Sequence, residues 1–365
     1  MIAIGRRMIV LAIVGGITAA ANATPAAADA IRDNEWHLSV LSVLQAQRIS
    51  QGEGVIVALA DTGVDAKHPD LAGAVLPGKG FGHNNTSDGR IDTDGHGTSM
   101  AGLIAGRGRP GGAGMLGIAP KTMILPIQTV RGELGNPEDL AAGVNWAVDE
   151  GAKVICIAAV TDEDATLTAA VTRAVAADVV VVASVGNVPD NQAVGYPARL
   201  PGVLAVGGTD RDQRHATVSA AGPEVVIVAP AVDIQSISAY GKYHVATGTS
   251  DAAAIVSGVV ALVRAKFPGL SGPEVVRRIT ATAVDKGKPG RDEEFGFGVV
   301  DPLAALTATL PSAAPQVSAV PSEVGSGPAG GRGGVGGWGA WIAVVGVVAV
   351  GVVGVLRWRR WRAGS

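Results

Sequence analysis

Several short, continuous apolar runs constrain the fold of this chain more than any other feature of its sequence. One run leads from residue 55 into Asp61, and another leads from residue 179 into Ser184. Runs of this length without polar alternation are typical of strands that are buried on both faces of a parallel sheet. Helical patterns alternate with them, which predicts an α/β fold with a mostly parallel central sheet flanked by helices. The predicted strands are residues 54–60, 123–130, 154–159, 179–184, 203–207 and 225–229.

Helix-start signals support this alternation. Asn136 followed by Pro137 is typical of an N-cap with proline in the first helical position, and predicts a helix that extends to residue 150. Ser271 and Glu274 form a capping-box pattern before a helix at residues 275–282. Both signals agree with helices that alternate with the predicted strands.

Composition excludes several function classes. The net charge is −3 and no basic stripe interrupts the globular part, so nucleic acid is not an expected partner. The single cysteine, Cys156, lies in an apolar run and is predicted to be a small buried hydrophobe, since no internal disulfide or zinc spacing is possible. The acidic residues Asp88, Asp92 and Asp94 are interpreted as a solvated loop rather than a calcium site. No metal or cofactor is expected.

Three short motifs supply an acid, a base and a nucleophile. Asp61 ends a predicted strand, His96 precedes an apolar helical segment, and Ser250 opens the long apolar segment 252–263. A serine hydroxyl is a poor nucleophile near neutral pH, so an imidazole must accept its proton and a carboxylate must orient that imidazole. A serine at a helix N-terminus also has unpaired backbone N–H groups beside it.

Each motif by itself has an ordinary explanation. Asp-Thr-Gly ends many strands and also occurs in aspartic peptidases, and Ser250 could be a plain N-cap. A further residue, Asn187, follows the predicted strand 179–184 and could donate its amide to the oxyanion of a tetrahedral intermediate. The combination favours catalysis, whereas the histidines without matching partners are interpreted as ordinary surface or core residues: His37, His68, His83, His215 and His244.

With these motifs, residues 35–308 resemble the subtilisin-like serine peptidases. The resemblance implies a three-layer fold, a protein or peptide substrate, a catalytic triad of Asp61, His96 and Ser250, and Asn187 as the oxyanion donor. It also implies that the substrate is held as an extended strand. The predicted substrate-binding residues are Ala158, Ala159, Val160, Ser184 and Gly186.

The chain departs from the usual pattern of that family at several positions. Where the family commonly has Asn-x-Ser on the substrate-binding strand, this chain has Cys156-Ile157-Ala158 followed by Ala159. Asp251 follows the predicted nucleophile where an apolar residue is frequent, and its charge is expected to alter the electrostatics of the site. These departures keep open an alternative function, that of a catalytically weak or inactive structural subunit of a secretion complex.

The two ends of the chain account for its mean hydropathy of +0.33. Arg6 and Arg7 precede an apolar segment and small residues, so residues 1–30 are predicted to be a signal peptide, with cleavage after either Ala23 or Ala30. Residues 338–356 carry no charge and would span about 28 Å as a helix, which suffices for a bilayer core.

Flanking residues predict the orientation of this membrane helix. Arginines in the tail 357–365 place it in the cytoplasm, so the predicted location is a single-pass protein of the cell membrane with an extracytoplasmic catalytic domain. The Pro-, Gly- and Ser-rich segment 311–337 is predicted to be a flexible linker. A short extension (31–53) and a peptidase domain (54–310) complete the predicted organisation.

Within the family, the N-terminal extension, the linker and the membrane segment resemble those of the mycosins, which are membrane-anchored peptidases associated with type VII secretion in actinobacteria. This resemblance implies extracytoplasmic cleavage of a secretion component or substrate. Residues 31–53 leave no room for the folding pro-domain of secreted subtilisins, so none is expected.

Overall fold

The computed structural model describes residues 26–82, 86–129 and 136–311. The strands are β1 (Ile56–Asp61), β2 (Lys79–Gly80), β3 (Arg107–Arg109), β4 (Ala113–Leu116), β5 (Met123–Gln128), β6 (Val154–Ile157), β7 (Val180–Ser184), β8 (Leu204–Thr209), β9 (Ile227–Pro230), β10 (Ile234–Ser238) and β11 (Lys242–Ala246). The helices are α1 (Ala26–Asn34), α2 (Trp36–Val40), α3 (Val43–Ala46), α4 (His96–Ala105), α5 (Pro137–Asp149), α6 (Ala165–Ala176), α7 (Thr249–Lys266), α8 (Gly272–Ala281) and α9 (Pro302–Thr307).

Seven of these strands form one sheet in the order β2-β5-β1-β6-β7-β8-β9. Every neighbouring pair in this sheet is parallel, which confirms the prediction from the apolar runs. All six predicted strands are present, with ends shifted by at most two residues, and residue 130 of the second lies outside the described residues.

Two antiparallel hairpins, β3–β4 and β10–β11, were not predicted. Their strands contain no continuous apolar run. In β10, polar Gln235, Ser236 and Ser238 interrupt the pattern, although the first two of these side chains are buried.

Two pairs of helices enclose the sheet and complete the three-layer architecture. Helices α4 and α7 contact each other and the sheet, and α7 contacts five adjacent strands, namely β1 and the four from β6 to β9. Helices α5 and α6 contact each other and also pack on the sheet. Nearly the whole of α7 is buried, because residues 251–264 are apolar or small apart from Asp251, Ser257 and Arg264. Cys156 is fully buried in β6, as predicted.

The predicted N-terminal extension contributes to the same hydrophobic core. Trp36 and Val43 are buried, and the indole Nε1 of Trp36 donates to the carbonyl oxygen of Asp233 at 3.0 Å. The amide of Gln47 donates to the carbonyl oxygens of Gly117 (2.8 Å) and Ile118 (3.0 Å). Residues 36–47 are therefore integrated with the sheet domain through packing and hydrogen bonds.

The remaining terminal predictions concern regions outside the described residues. These regions are the signal segment up to residue 25, residues 312–337 of the linker, the apolar segment 338–356 and the basic tail. No helix within residues 26–311, as far as they are described, is long and apolar enough to cross a membrane.

Candidate active site

The ends of three elements bring Asp61, His96 and Ser250 to one edge of the sheet. Asp61 is the last residue of β1, His96 is the first of α4, and Ser250 is the second of α7. All three line one cavity of about 710 Å³ at the carboxyl ends of the parallel strands. Open α/β sheets bind their ligands at this edge.

Asp61 is hydrogen-bonded directly to His96. Its side chain is buried (3 % exposed), and its Oδ1 lies 2.8 Å from the Nδ1 of His96, whose side chain is 37 % exposed. The backbone N–H of Thr62 donates to the same oxygen at 2.8 Å. Because a carboxylate only accepts, this contact places a proton on Nδ1 and leaves Nε2 of a neutral imidazole as the proton acceptor.

Neighbouring carboxylates stabilise the charged form of His96. The negative charge of Asp61 raises the pKa of His96 above its ordinary value of 6.5, and its hydrogen bond adds to the effect. Burial acts in the opposite direction, and the carboxyls of Asp251 and Asp94 raise the pKa further. The site therefore favours an imidazolium, the species that forms when a histidine accepts a proton from a nucleophile.

Asp92 corrects the sequence-based interpretation of the acidic loop. It is 2 % exposed rather than solvated, and its carboxylate accepts from the backbone N–H groups of Asp94, Gly95 and Thr98 and from the hydroxyls of Thr62 and Thr98, at 2.6–3.0 Å. Thr62 in turn accepts from the N–H of Gly97 at 2.9 Å. Asp92 thus joins the end of β1 to the start of α4.

The usual N-cap signal does not identify Asp92, because the N-cap position of α4 is Gly95 and Asp92 lies three residues before it. Asp88 fits the original interpretation better, because it is exposed and pairs with Arg90 at 2.7 Å. Among the residues described, no group of three or more His, Cys, Asp or Glu side chains is placed to hold a metal ion.

Gly97 permits a close approach between α4 and the turn after β1. A Cβ at this position would stand 2.0 Å from the carbonyl oxygen of Gly63 and 3.1 Å from the Cβ of Asp61. Only a residue without a side chain allows His96 to lie this close to Asp61.

Asn187 and Ser250 face a common space at the start of α7. The Oδ1 of Asn187 accepts from the backbone N–H of Thr249 at 2.9 Å and from its hydroxyl at 3.0 Å, which orients the side-chain amide. A Cβ on Gly248 would stand 3.1 Å from the Oγ of Ser250 and 3.4 Å from the Nδ2 of Asn187. The amide donor and the hydroxyl therefore flank the same point.

In the described residues no hydrogen bond joins Ser250 to His96. Such catalytic contacts are often long in unliganded enzymes and tighten when substrate binds. The arrangement is therefore compatible with a nucleophile and base that align around a substrate.

All five predicted substrate-binding residues line the same cavity. Ala158, Ala159 and Val160 follow directly after β6, whereas Ser184 ends β7 and Gly186 lies in the loop that follows it. They come from the ends of two neighbouring strands and line the same cavity as Ser250.

The sequence interpretation missed His244, which it treated as an ordinary histidine. His244 lies in β11 and lines the cavity, and its Nε2 is 3.0 Å from the hydroxyl of Ser99. Burial lowers its pKa, and the charge on His96 lowers it further. No local signal could have identified it, because the unpredicted β10–β11 hairpin brings it to the cleft. Other lining residues that were not predicted are Asp94, Ser99, Met100, Asp190, Asn191, Ala246, Thr247 and Thr249.

Asp251 is a buried carboxyl in the first turn of α7. It is 1 % exposed, lines the cavity, and has a pKa raised to about 7 by burial, which the charge of His96 partly offsets. Its Oδ1 makes no hydrogen bond with any described residue.

Comparison with known proteins gives consistent matches. The family model described as "Subtilase family" (Peptidase_S8) matches residues 52–298. Thermostable alkaline protease of Halalkalibacterium halodurans is 35% identical over 268 residues, which cover 73% of this chain and 71% of that protein. Mycosin-3 of Mycobacterium tuberculosis is 34% identical over 340 residues, which cover 75% of this chain and 72% of that protein. The solved structure of the MycP3 protease from the type VII (ESX-3) secretion system matches with a TM-score of 0.67 and 34% identity, and covers 74% of this chain and 88% of that one.

Proposed function

The chain belongs to the subtilase family of serine endopeptidases, and on that premise we propose that it hydrolyses peptide bonds with Asp61, His96 and Ser250 as its triad. The observation that carries the proposal is the 2.8 Å bond between Asp61 and His96 in the cavity that Ser250 also lines. Asn187 is the proposed oxyanion donor.

The proposed reaction proceeds in two stages. His96 Nε2 takes the proton of Ser250 as Oγ attacks the peptide carbonyl carbon, and Asp61 stabilises the imidazolium. The Nδ2 of Asn187 and the N–H groups at the start of α7 stabilise the oxyanion. His96 then protonates the leaving amine. Water, deprotonated by His96, hydrolyses the acyl-enzyme and restores Ser250.

The substrate is proposed to bind as an extended strand between residues 158–160 and the Ser184–Gly186 side of the cleft. Both sides lie at strand ends, where backbone groups of the protein can pair with a peptide backbone. The small side chains of Ala158 and Ala159 leave room for substrate side chains between the two sides.

We place this activity at the outer face of the cell membrane. The sequence supports this through its predicted signal peptide, the uncharged segment 338–356 and the arginines that follow it. The similarity to Mycosin-3 and to the MycP3 protease of a type VII secretion system supports a secretion component or secreted protein as the substrate.

Labelling of the full-length protein with a fluorophosphonate probe tests the proposed triad. The unmutated protein should be labelled, whereas Ser250→Ala and His96→Ala should lose labelling, with a fall in kcat on the order of 10⁶ for either. Ser39→Ala, at an exposed position on α2, is the matched control and should be labelled normally.

Labelling that survives Ser250→Ala would refute the assignment of the nucleophile. A folded, unmutated protein that takes no probe would favour the alternative, an inactive structural subunit of a secretion complex.

A further inference from the structure

The charged side chains around the cleft are all acidic apart from two histidines. Besides Asp61, the carboxyls of Asp94, Asp190 and Asp251 line the cavity. None of the lysines or arginines in the described ranges contributes to its lining. The cleft therefore presents a concentrated negative potential to an incoming peptide.

These three carboxyls differ in depth. Asp94 and Asp190 are exposed and stand at the rim, where water solvates them. Asp251 is buried immediately after Ser250, so it lies deep in the cleft next to the proposed nucleophile. A cationic side chain would meet the rim first and Asp251 last.

Asp251 differs from the other buried carboxyls of the site in its hydrogen bonding. The Oδ1 of Asp61 is held by His96 and Thr62, although its Oδ2 makes no hydrogen bond with the described residues, and Asp92 accepts five hydrogen bonds. The Oδ1 of Asp251 accepts none from the described residues. A buried carboxyl without a hydrogen-bonding partner is costly, and the cost is recovered when a cation supplies both charge and donors.

Helix position alone does not account for Asp251. An acidic residue in the first turn of a helix interacts favourably with the helix dipole, but that interaction is available to an exposed side chain at lower cost. Because the Asp251 carboxyl lines the cavity, it can also contact a substrate bound in the cleft.

We propose that the cleft selects peptides with a lysine or arginine side chain next to the scissile bond, and that Asp251 is the buried anion that receives it. Asp94 and Asp190 attract the cation at the rim. The aliphatic stem of such a side chain can lie along apolar lining residues such as Met100 and Ala246 while its charged end reaches the carboxyl. This inference rests on the proposed peptidase function and specifies its substrate class.

The test uses the full-length protein and internally quenched peptides of one parent sequence. Lysine, arginine, glutamine, norleucine or glutamate is placed in turn at each of the two positions that flank the scissile bond directly, one on either side. At one or more positions, kcat/KM for lysine should exceed that for norleucine by about tenfold or more, with glutamate poorest.

Variants locate the source of the preference. Asp251→Asn should lower the lysine-to-norleucine ratio about tenfold, whereas Asp94→Asn and Asp190→Asn should lower it less, because exposed charges are screened. Glu150→Gln is the matched control, because it makes the same change in net charge. Glu150 is exposed at the end of α5, shortly before β6 begins, and so lies at the opposite edge of the sheet from the cleft. This variant should leave the ratio unchanged.

Each outcome decides between the two proposals. Equal cleavage of lysine and norleucine peptides by a protein that takes the fluorophosphonate probe overturns the specificity and leaves the peptidase function intact. A preference that survives Asp251→Asn but disappears in the rim variants overturns the role of Asp251. A protein that takes no probe and cleaves no peptide overturns both proposals.

Discussion

Two carboxyls with contrasting environments face His96. Asp61 is hydrogen-bonded to the imidazole and orients it, whereas Asp251 is buried without a partner for its Oδ1 among the described residues. Both raise the pKa of His96, with Asp61 as the larger cause. Because Asp61 is itself part of the proposed triad, replacing Asp251 is the better way to change the pKa of His96 while keeping all three triad residues.

The pH dependence of the free enzyme should show this effect. His96 must be neutral to act as a base, and its pKa is raised above 6.5. We therefore expect kcat/KM to fall as the pH drops below this raised pKa. Replacing Asp251 by asparagine removes a negative charge, lowers the pKa of His96 and should move the acidic limb to lower pH. The measurement is the pH profile of kcat/KM with a norleucine peptide, which avoids any charge on the substrate.

Glu150→Gln serves again as the control and should leave the acidic limb of the pH profile unchanged. An unchanged limb in Asp251→Asn would show that the carboxyl does not act on the imidazole electrostatically.

Asn187 should affect the chemical step more than substrate binding. Asn187→Ala removes the proposed oxyanion donor and should lower kcat by about 10²–10³ with little change in KM. Asn187→Asp keeps an oxygen that can accept from Thr249 but lacks the donor, so it should not restore kcat. Steady-state kinetics with one peptide measure both constants. A change confined to KM, or recovery in Asn187→Asp, would show that the amide donor is not used on the oxyanion.

At the level of elements, the site depends on the junction between β1 and α4. Asp92 and Thr62 connect the two through buried hydrogen bonds, and Gly97 lets them touch. The distance between Asp61 and His96 is therefore set by backbone packing in addition to the direct contact of their side chains.

Gly97→Ala should separate these two elements. Its Cβ would overlap the carbonyl oxygen of Gly63, 2.0 Å away, so α4 must shift and His96 must move from Asp61. Since small displacements at a catalytic site are costly, we expect kcat/KM to fall about 10²-fold or more. Peptide cleavage and circular dichroism measure activity and folding together.

Gly269→Ala is the matched control, because no atom lies within 4 Å of the Cβ it would add and its backbone is not left-handed. Normal activity in Gly97→Ala would show that the junction tolerates the shift.

At the scale of the whole molecule, the sheet places every proposed catalytic residue at one edge, while the predicted anchor follows the domain in sequence. A flexible linker of the length of residues 311–337 would have a root-mean-square span of about 30 Å. This length would let the domain act on substrates close to the membrane surface.

The proposed topology predicts the result of protease treatment of intact spheroplasts. The catalytic domain should be degraded, whereas a tag after Ser365 should be protected, because the arginines of the tail keep it inside. Immunoblots against the domain and the tag measure both. A variant that lacks residues 338–365 should instead be released into the medium. A tag digested as readily as the domain, or full-length protein free in the medium, would contradict the anchor.

The local sequence determined the central sheet and the candidate triad. Continuous apolar runs reveal burial on both faces, so strands such as β1 and β7 could be located without tertiary information. Asp61, His96 and Ser250 each lie at the end of a strand or the start of a helix, and parallel strands bring such ends to one edge. Local patterns and this general rule of topology therefore sufficed for the strands and for the place of these three residues, whereas their assignment as a triad also used the resemblance to the subtilisin-like peptidases.

Tertiary structure alone decided which other residues join that edge. His244 reaches the cleft through a hairpin without an apolar run, Asp92 is buried by the junction of β1 and α4, and Asp190 and Asp94 line the same cavity. Periodicity reports how a segment is buried but does not report which distant segment covers it. The sequence did not predict the acidic cleft, because its carboxyl groups come from residues that are distant in sequence and line one cavity only in the folded chain.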